Sequence, residues 1–276
     1  MPLVAAAVCP HPPLLVPEVA GAAAPELDEL RAACASAVAR LAVAGARSIL
    51  VIGAGPGTVD LDPPYRGSFA PWGAPLEVRL TSHADEGRVD GEGRVDGEGR
   101  VDGTGRAVAG SAAGWRADER NGSARLPLSL LAGAWLLDRM PLAGADGTVR
   151  RMMTVGADES AENCAALGAR LGSGQPWALL VMGDGSACRG EKAPGYADPR
   201  AEAYDEGVAR ALAQVDVDAL LGLDPAVSAQ LRVAGRAPWQ VLAGAARAAG
   251  GDWRGELLYH AAPYGVAYLV ASWERS

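Results

Sequence analysis

Apolar positions along this chain follow two rhythms, and each rhythm dictates a different element. Residues 3–8 form a continuous apolar run of strand length. It stops at Cys9-Pro10-His11-Pro12-Pro13, where the prolines remove backbone donors and end any ladder. Leu27, Leu30, Cys34, Val38 and Leu41 then recur at three- and four-residue steps, one stripe of a helix that starts near Pro25 and ends at Gly45. Residues 48–52 are a β-branched run that breaks at Gly53-Ala54-Gly55-Pro56-Gly57, and a further strand is expected over 76–80 after a Pro- and Gly-rich loop. Beyond the middle of the chain the pattern predicts a buried helix over 126–140, a strand over 152–155, a helix over 161–171 and a fully apolar strand over 177–182. That strand breaks at Gly183-Asp184-Gly185-Ser186. Helices are expected over 199–214, 225–233 and 239–249, the second with Asp224 as its N-cap. The chain closes on strands at 256–260 and 264–273; in the latter Tyr264, Val266, Tyr268 and Val270 alternate as in a half-buried strand.

Strands that alternate with helices and are apolar on both faces need cover on both faces. The fold class is therefore α/β: residues 1–276 as a single domain with a central mixed, largely parallel sheet covered by helices on both sides. Ligands of such sheets sit beyond the carboxyl ends of the strands. Three of those ends carry unusual residues, at 9–13, 53–57 and 183–188, so a site is expected where they meet.

One segment breaks both rhythms. Between about 84 and 124, Glu-Gly-Arg-Val-Asp-Gly is repeated three times in tandem and decays into a Thr-Gly-Arg copy. A tract this rich in Gly and charge buries too little apolar surface to offset its ordering entropy, so a flexible low-complexity insert is expected. A calcium-binding roll of Gly-Asp repeats is the alternative, but its period is nine rather than six.

Composition narrows the function. A net charge of −8 with singly scattered arginines argues against a nucleic-acid partner. No apolar run approaches the ~20 residues that cross a bilayer, and the apolar start lacks the basic stretch of a secretory signal. Cys9, Cys34, Cys164 and Cys188 show no CxxC pairing and suit free thiols in a reducing, cytoplasmic setting.

The stretch Val8-Cys9-Pro10-His11-Pro12-Pro13-Leu14-Leu15-Val16-Pro17 resembles the catalytic β-chain type of the class III extradiol ring-cleavage dioxygenases, a superfamily that includes the Memo-like proteins. Leu179-Leu180-Val181-Met182-Gly183-Asp184-Gly185-Ser186-Ala187 is similar to that family's strand and Gly-Asp/Gly-x-Ser-His turn. Trp239-Gln240-Val241-Leu242-Ala243-Gly244-Ala245 and Tyr264-Gly265-Val266-Ala267-Tyr268 extend the likeness over most of the chain outside the insert.

The resemblance implies a ferrous ion held by two histidines and a carboxylate, open to a catechol and O₂, with a further histidine moving protons. By position His11 matches the first ligand histidine. The second is expected just after residue 52, where Gly53–Gly57 holds none, and the proton-shuttling one after Ser186, where Ala187 and Cys188 stand. The whole chain has three histidines, His11, His83 and His260, and His83 lies beside the repeat. His260 and Asp184 are then the candidates for acid–base work. Cys9, Gly55, Cys188, Glu191 and Tyr196 are expected to line the pocket, with Cys9, Cys188, Asp184 or Glu191 as substitute ligands for a metal such as zinc. Two readings follow: an aromatic-ring-cleaving oxidoreductase with a degenerate Fe(II) site, or a non-catalytic binding protein on the same scaffold with no cofactor. Either takes a small aromatic or other small molecule as partner, and either allows a homo-oligomer.

Overall fold

The computed structural model describes residues 2–81, 126–139, 148–172 and 174–276; the expected insert over 84–124 and His83 lie outside them. In chain order the elements are β1 (Leu3–Cys9), α1 (Pro17–Ala20), α2 (Asp28–Val43), β2 (Ser48–Gly55), β3 (Val59–Leu61), β4 (Tyr65–Ser68) and β5 (Glu77–Leu80). Then come α3 (Leu128–Arg139), β6 (Val149–Gly156), α4 (Ala161–Arg170), β7 (Trp177–Met182), α5 (Arg200–Gln214), α6 (Val217–Leu221), α7 (Pro225–Gln230), α8 (Arg236–Ala249), β8 (Trp253–Ala261) and β9 (Tyr268–Arg275).

Seven strands form one sheet in the order β3-β6-β2-β7-β1-β9-β8, while β4 and β5 make a separate antiparallel pair. The central pairs β6–β2, β2–β7 and β7–β1 are parallel, and β3, β9 and β8 join through antiparallel pairs. Because β8 runs against β9 and β9 against β1, β8 points the same way as the parallel block. The carboxyl ends of β1, β2, β6, β7 and β8 therefore meet along one edge.

Alternation along each strand sends side chains to two separate cores. Ala5, Ala7, Cys9, Val51, Leu180, Met182, Tyr268 and Val270 face α2 and α3 on what is the first face of the sheet. Ala6, Val8, Ile52, Val181, Leu269, Ala271 and Trp273 face α4, α5 and α8 on the second face. On the second face α4 and α8 touch backbone to backbone: a Cβ at Gly168 would lie 2.1 Å from the Val241 carbonyl, and one at Gly244 2.3 Å from that of Ala165. Only glycine allows that approach. Among the described residues no helix is long and apolar enough to cross a membrane.

The expected α/β class is the observed one, and the differences are of detail. Pro25 sits inside a 3₁₀ stretch, Gly21–Leu27, and α2 begins three residues later at Asp28. Asp224 does cap α7, accepting from the Ala226 and Val227 N–H groups, but that helix stops at Gln230 rather than 233. The short strands β3 and β4 and the five-residue α6 carry too few residues for a readable period. The last strand starts at Tyr268; Tyr264 and Val266 belong to the turn before it, where Gly265 takes φ +77°. Since β9 lies between β1 and β8 it is buried on both faces, so the alternation over 264–270 reflected the turn rather than a solvent-facing side.

Candidate functional site

β1 and β7 are neighbours with Cys9 opposite Met182, so the residues that follow leave the sheet edge together. The Gly183 N–H donates to the Cys9 carbonyl at 2.9 Å, holding the two chains one residue past the strands. A Cβ at Gly183 would fall 2.4 Å from the Gly235 Cα, so the turn also needs glycine to pass the start of α8. This places Asp184 against the Pro-flanked turn of His11. Asp184 Oδ1 accepts the His11 backbone N–H at 2.8 Å and stands 3.7 Å from the imidazole Nδ1. His11 is 8% exposed, and its buried Nδ1 has no hydrogen-bond partner among the described residues. The two most unusual strand ends in the sequence thus form one contact.

Thiols and tyrosines lie beneath this pair. On α2, burial pushes the Cys34 thiol well up, and its hydrogen bond with Cys9 and the charge of Asp184 push the same way. Burial raises the Tyr268 hydroxyl, and Asp184 adds to it. Tyr264 donates its hydroxyl to Glu26 at 2.8 Å, which raises it, and burial followed by the Glu29 charge raises Tyr259. All three phenols are therefore neutral donors at physiological pH, and the charged groups acting on them are carboxylates.

A second layer fixes the turn that carries Asp184. Asp205 of α5 is fully buried and accepts both the Ser186 N–H (2.8 Å) and the Ser186 hydroxyl (2.6 Å). Arg189 lies 3.4 Å from the same carboxylate and bridges on to Glu202. Sequence reading missed Asp205, because one acid among the polar residues of an amphipathic helix looks like solvated surface. Ser186 is committed to Asp205 rather than to an imidazole, so no nucleophile–base pair forms there.

The remaining expected residues are spread out. Cys9 lies buried under the pair, in contact with Cys34. Gly55 ends β2, where a Cβ would meet the Thr154 side chain at 2.7 Å. Cys188 is buried, with Sγ toward the carbonyls of Gly195 and Leu231, and burial raises its thiol. It knots the loop after β7 instead of lining a cleft. Glu191 is exposed, and Tyr196, 78% exposed at φ +64°, points out from that knotted loop. His260 departs most from expectation. Its β8 position is opposite Leu269, on the second face, and its Nδ1 lies 3.9 Å from Glu206 of α5. His11, Asp184 and Tyr268 belong to the first-face side, so His260 does not join them.

The ferrous centre implied by the resemblance does not fit the described residues. It needs a second imidazole beside His11; residues 53–58 after β2 offer none, and His260 is on the other face. Among the described residues no three His, Cys, Asp or Glu side chains are grouped to hold a metal ion. Two concavities lie elsewhere. One of about 220 Å³ is lined by Thr58, Glu159, Asn163 and Arg170 along α4, and one of about 440 Å³ by Arg40, Val43 and Arg275 at the opposite edge of the sheet. Neither touches His11 or Asp184, whose side chains reach solvent at 11% and 15% exposure. The chain matches no model of a known protein family and no curated protein.

Proposed function

We propose that this chain is a small-molecule-binding protein on a scaffold resembling the extradiol dioxygenases, with its ligand site at His11 and Asp184 and without that family's iron-dependent ring cleavage. One observation carries the reading: a buried imidazole nitrogen, without a partner among the described residues, stands beside a carboxylate at the carboxyl edge of the parallel strands. Buried polar groups in folded proteins are nearly always satisfied, and an exception at a ligand-binding edge points to a group supplied from outside. The loss of ring cleavage rests on chemistry. Catechol and O₂ are activated only at a metal gripped by its full ligand set, and removing an acid–base group typically costs a further ~10²- to 10⁴-fold in rate. Cytoplasmic location and self-association belong to the same proposal, the first on four free, buried thiols.

The test is anaerobic reconstitution of the full chain with Fe²⁺, followed by catechol and protocatechuate in air while ring-opened product is monitored by its visible absorbance. No iron-dependent product above background is expected. Rapid turnover abolished by His11→Ala would restore the oxidoreductase reading.

A further inference from the structure

We infer that the concavity along α4 is a second ligand site, one that takes a small zwitterion: a free α-amino acid with an aliphatic side chain. It is independent of the His11–Asp184 pair. The concavity lies at the carboxyl edge of the sheet, where Thr58 follows β2 and Glu159 follows β6, and ligands of α/β sheets sit beyond such ends. Its floor belongs to the second face: Val155 and Cys164 are buried in that core, and Leu167 packs partly buried beside them. Burial pushes the Cys164 thiol up to about 11, so it adds no charge. At about 220 Å³ the space is smaller than the ~300–1,000 Å³ typical of sites for drug-sized ligands, and it is open to solvent.

Two of the lining residues, Glu159 and Arg170, carry charge; the signs are opposite and the two do not pair. Glu159 is held in place: its Oε1 accepts the Thr58 hydroxyl at 3.1 Å and its Oε2 accepts Asn163 Nδ2 at 3.0 Å. Both partners are neutral, so the negative charge stays uncompensated and each oxygen keeps a lone pair. Because a carboxylate only accepts, the same bond fixes the Asn163 amide and leaves its Oδ1 without a partner among the described residues. Arg170, in the last turn of α4, makes no hydrogen bond or ion pair with any described residue. Asn163 and Arg170 stand two turns apart, about 10 Å along the helix axis. Helical side chains lean toward the amino end of their helix, which brings the guanidinium back toward Asn163. A molecule between them can place an ammonium on Glu159 and Asn163 Oδ1, a carboxylate on the Arg170 fork and an alkyl group on the floor. A monoanion leaves the Glu159 charge unanswered and a monocation leaves that of Arg170, whereas a zwitterion answers both.

The experiment is calorimetric titration of the full chain, in buffer free of amines and carboxylates, with L-norvaline and two molecules that each lack one of its charges, pentanoate and butylamine. Norvaline is expected to bind at least about tenfold more tightly than either, because each deletion removes a charge-assisted contact. Arg170→Gln should erase its advantage over butylamine and keep that over pentanoate; Glu159→Gln should do the reverse. Glu77→Gln, on the separate β4–β5 pair, should leave all three affinities unchanged. Pentanoate or butylamine binding as tightly as norvaline would overturn the inference, and so would norvaline failing to bind. Advantages that survive both substitutions would place the amino acid elsewhere and overturn it as well. The three probes are compared first on the unaltered chain, so a variant that fails to fold leaves the deciding comparison intact.

Discussion

Two buried polar clusters in this protein differ in how far their bonding closes. On the second face, Arg236 at the start of α8 is almost fully buried, yet its guanidinium donates to the carbonyls of Ala157 and Glu159 and to Gln240 Oε1. Gln240 passes the network on to the carbonyls of Leu221 and Leu223. Here a buried donor meets acceptors at the ends of other elements, and the cluster ties β6, α6 and α8 together. At the carboxyl edge the bonding stops short: Asp184 fixes the His11 backbone, and the imidazole Nδ1 is left over among the described residues. A network that exists to hold a fold closes on itself, since an unsatisfied buried polar atom costs about 1–3 kcal/mol. Under the proposed function, that leftover nitrogen belongs to the ligand site.

Mutation should separate the two clusters. Arg236→Met keeps the bulk of the side chain but strands several carbonyls in the core, so chemical denaturation should show a loss of about 3 kcal/mol or more. A loss below about 1 kcal/mol would mean that the closed cluster is not structural. Asp184→Asn and His11→Ala should each change stability by less than about 1 kcal/mol, because binding residues are commonly kept at some cost to stability. If either proves as damaging as Arg236→Met, the edge pair is a fold-holding contact and the distinction fails.

The smallest effect tests whether the loop beyond Asp184 is as knotted as its bonds indicate. Arg200 grips the half-buried Asp198 carboxylate through side-chain and backbone bonds, taking it from 3.8 to about 2. A depressed carboxylate favours the folded state above its ordinary pKa, and that contribution disappears as pH falls through about 2. In Arg200→Gln the Asp198 titration followed by NMR should return toward 3.8, with little change in melting temperature because the pair is solvent-screened. A midpoint that stays near 2 would assign the depression to other groups.

Much of this architecture was written in local patterns. The run over 177–182 became β7 residue for residue, and Asp224 caps the helix it was expected to cap. Alternating short apolar runs and helical stripes were enough to predict a parallel core covered on both faces, because each element must bury its own apolar side. The strand-end signals at His11 and Asp184 were legible too, since proline and glycine at a sheet edge advertise a break. Tertiary structure alone decided what met what. Asp205 became a buried anchor only because α5 lies over the turn at Ser186. His260 shows the limit most clearly. Glu256 of β8 pairs with Ser272 of β9, and two-residue alternation from Glu256 would keep His260 on the same face of the sheet. A register shift between Leu257 and Tyr259 inserts one residue, and a one-residue slip turns every later side chain over. His260 therefore faces Glu206 on the second face. Local sequence determined which residues were strand and which were turn; the register between strands, which only the folded pairing fixes, determined which side of the sheet each one serves.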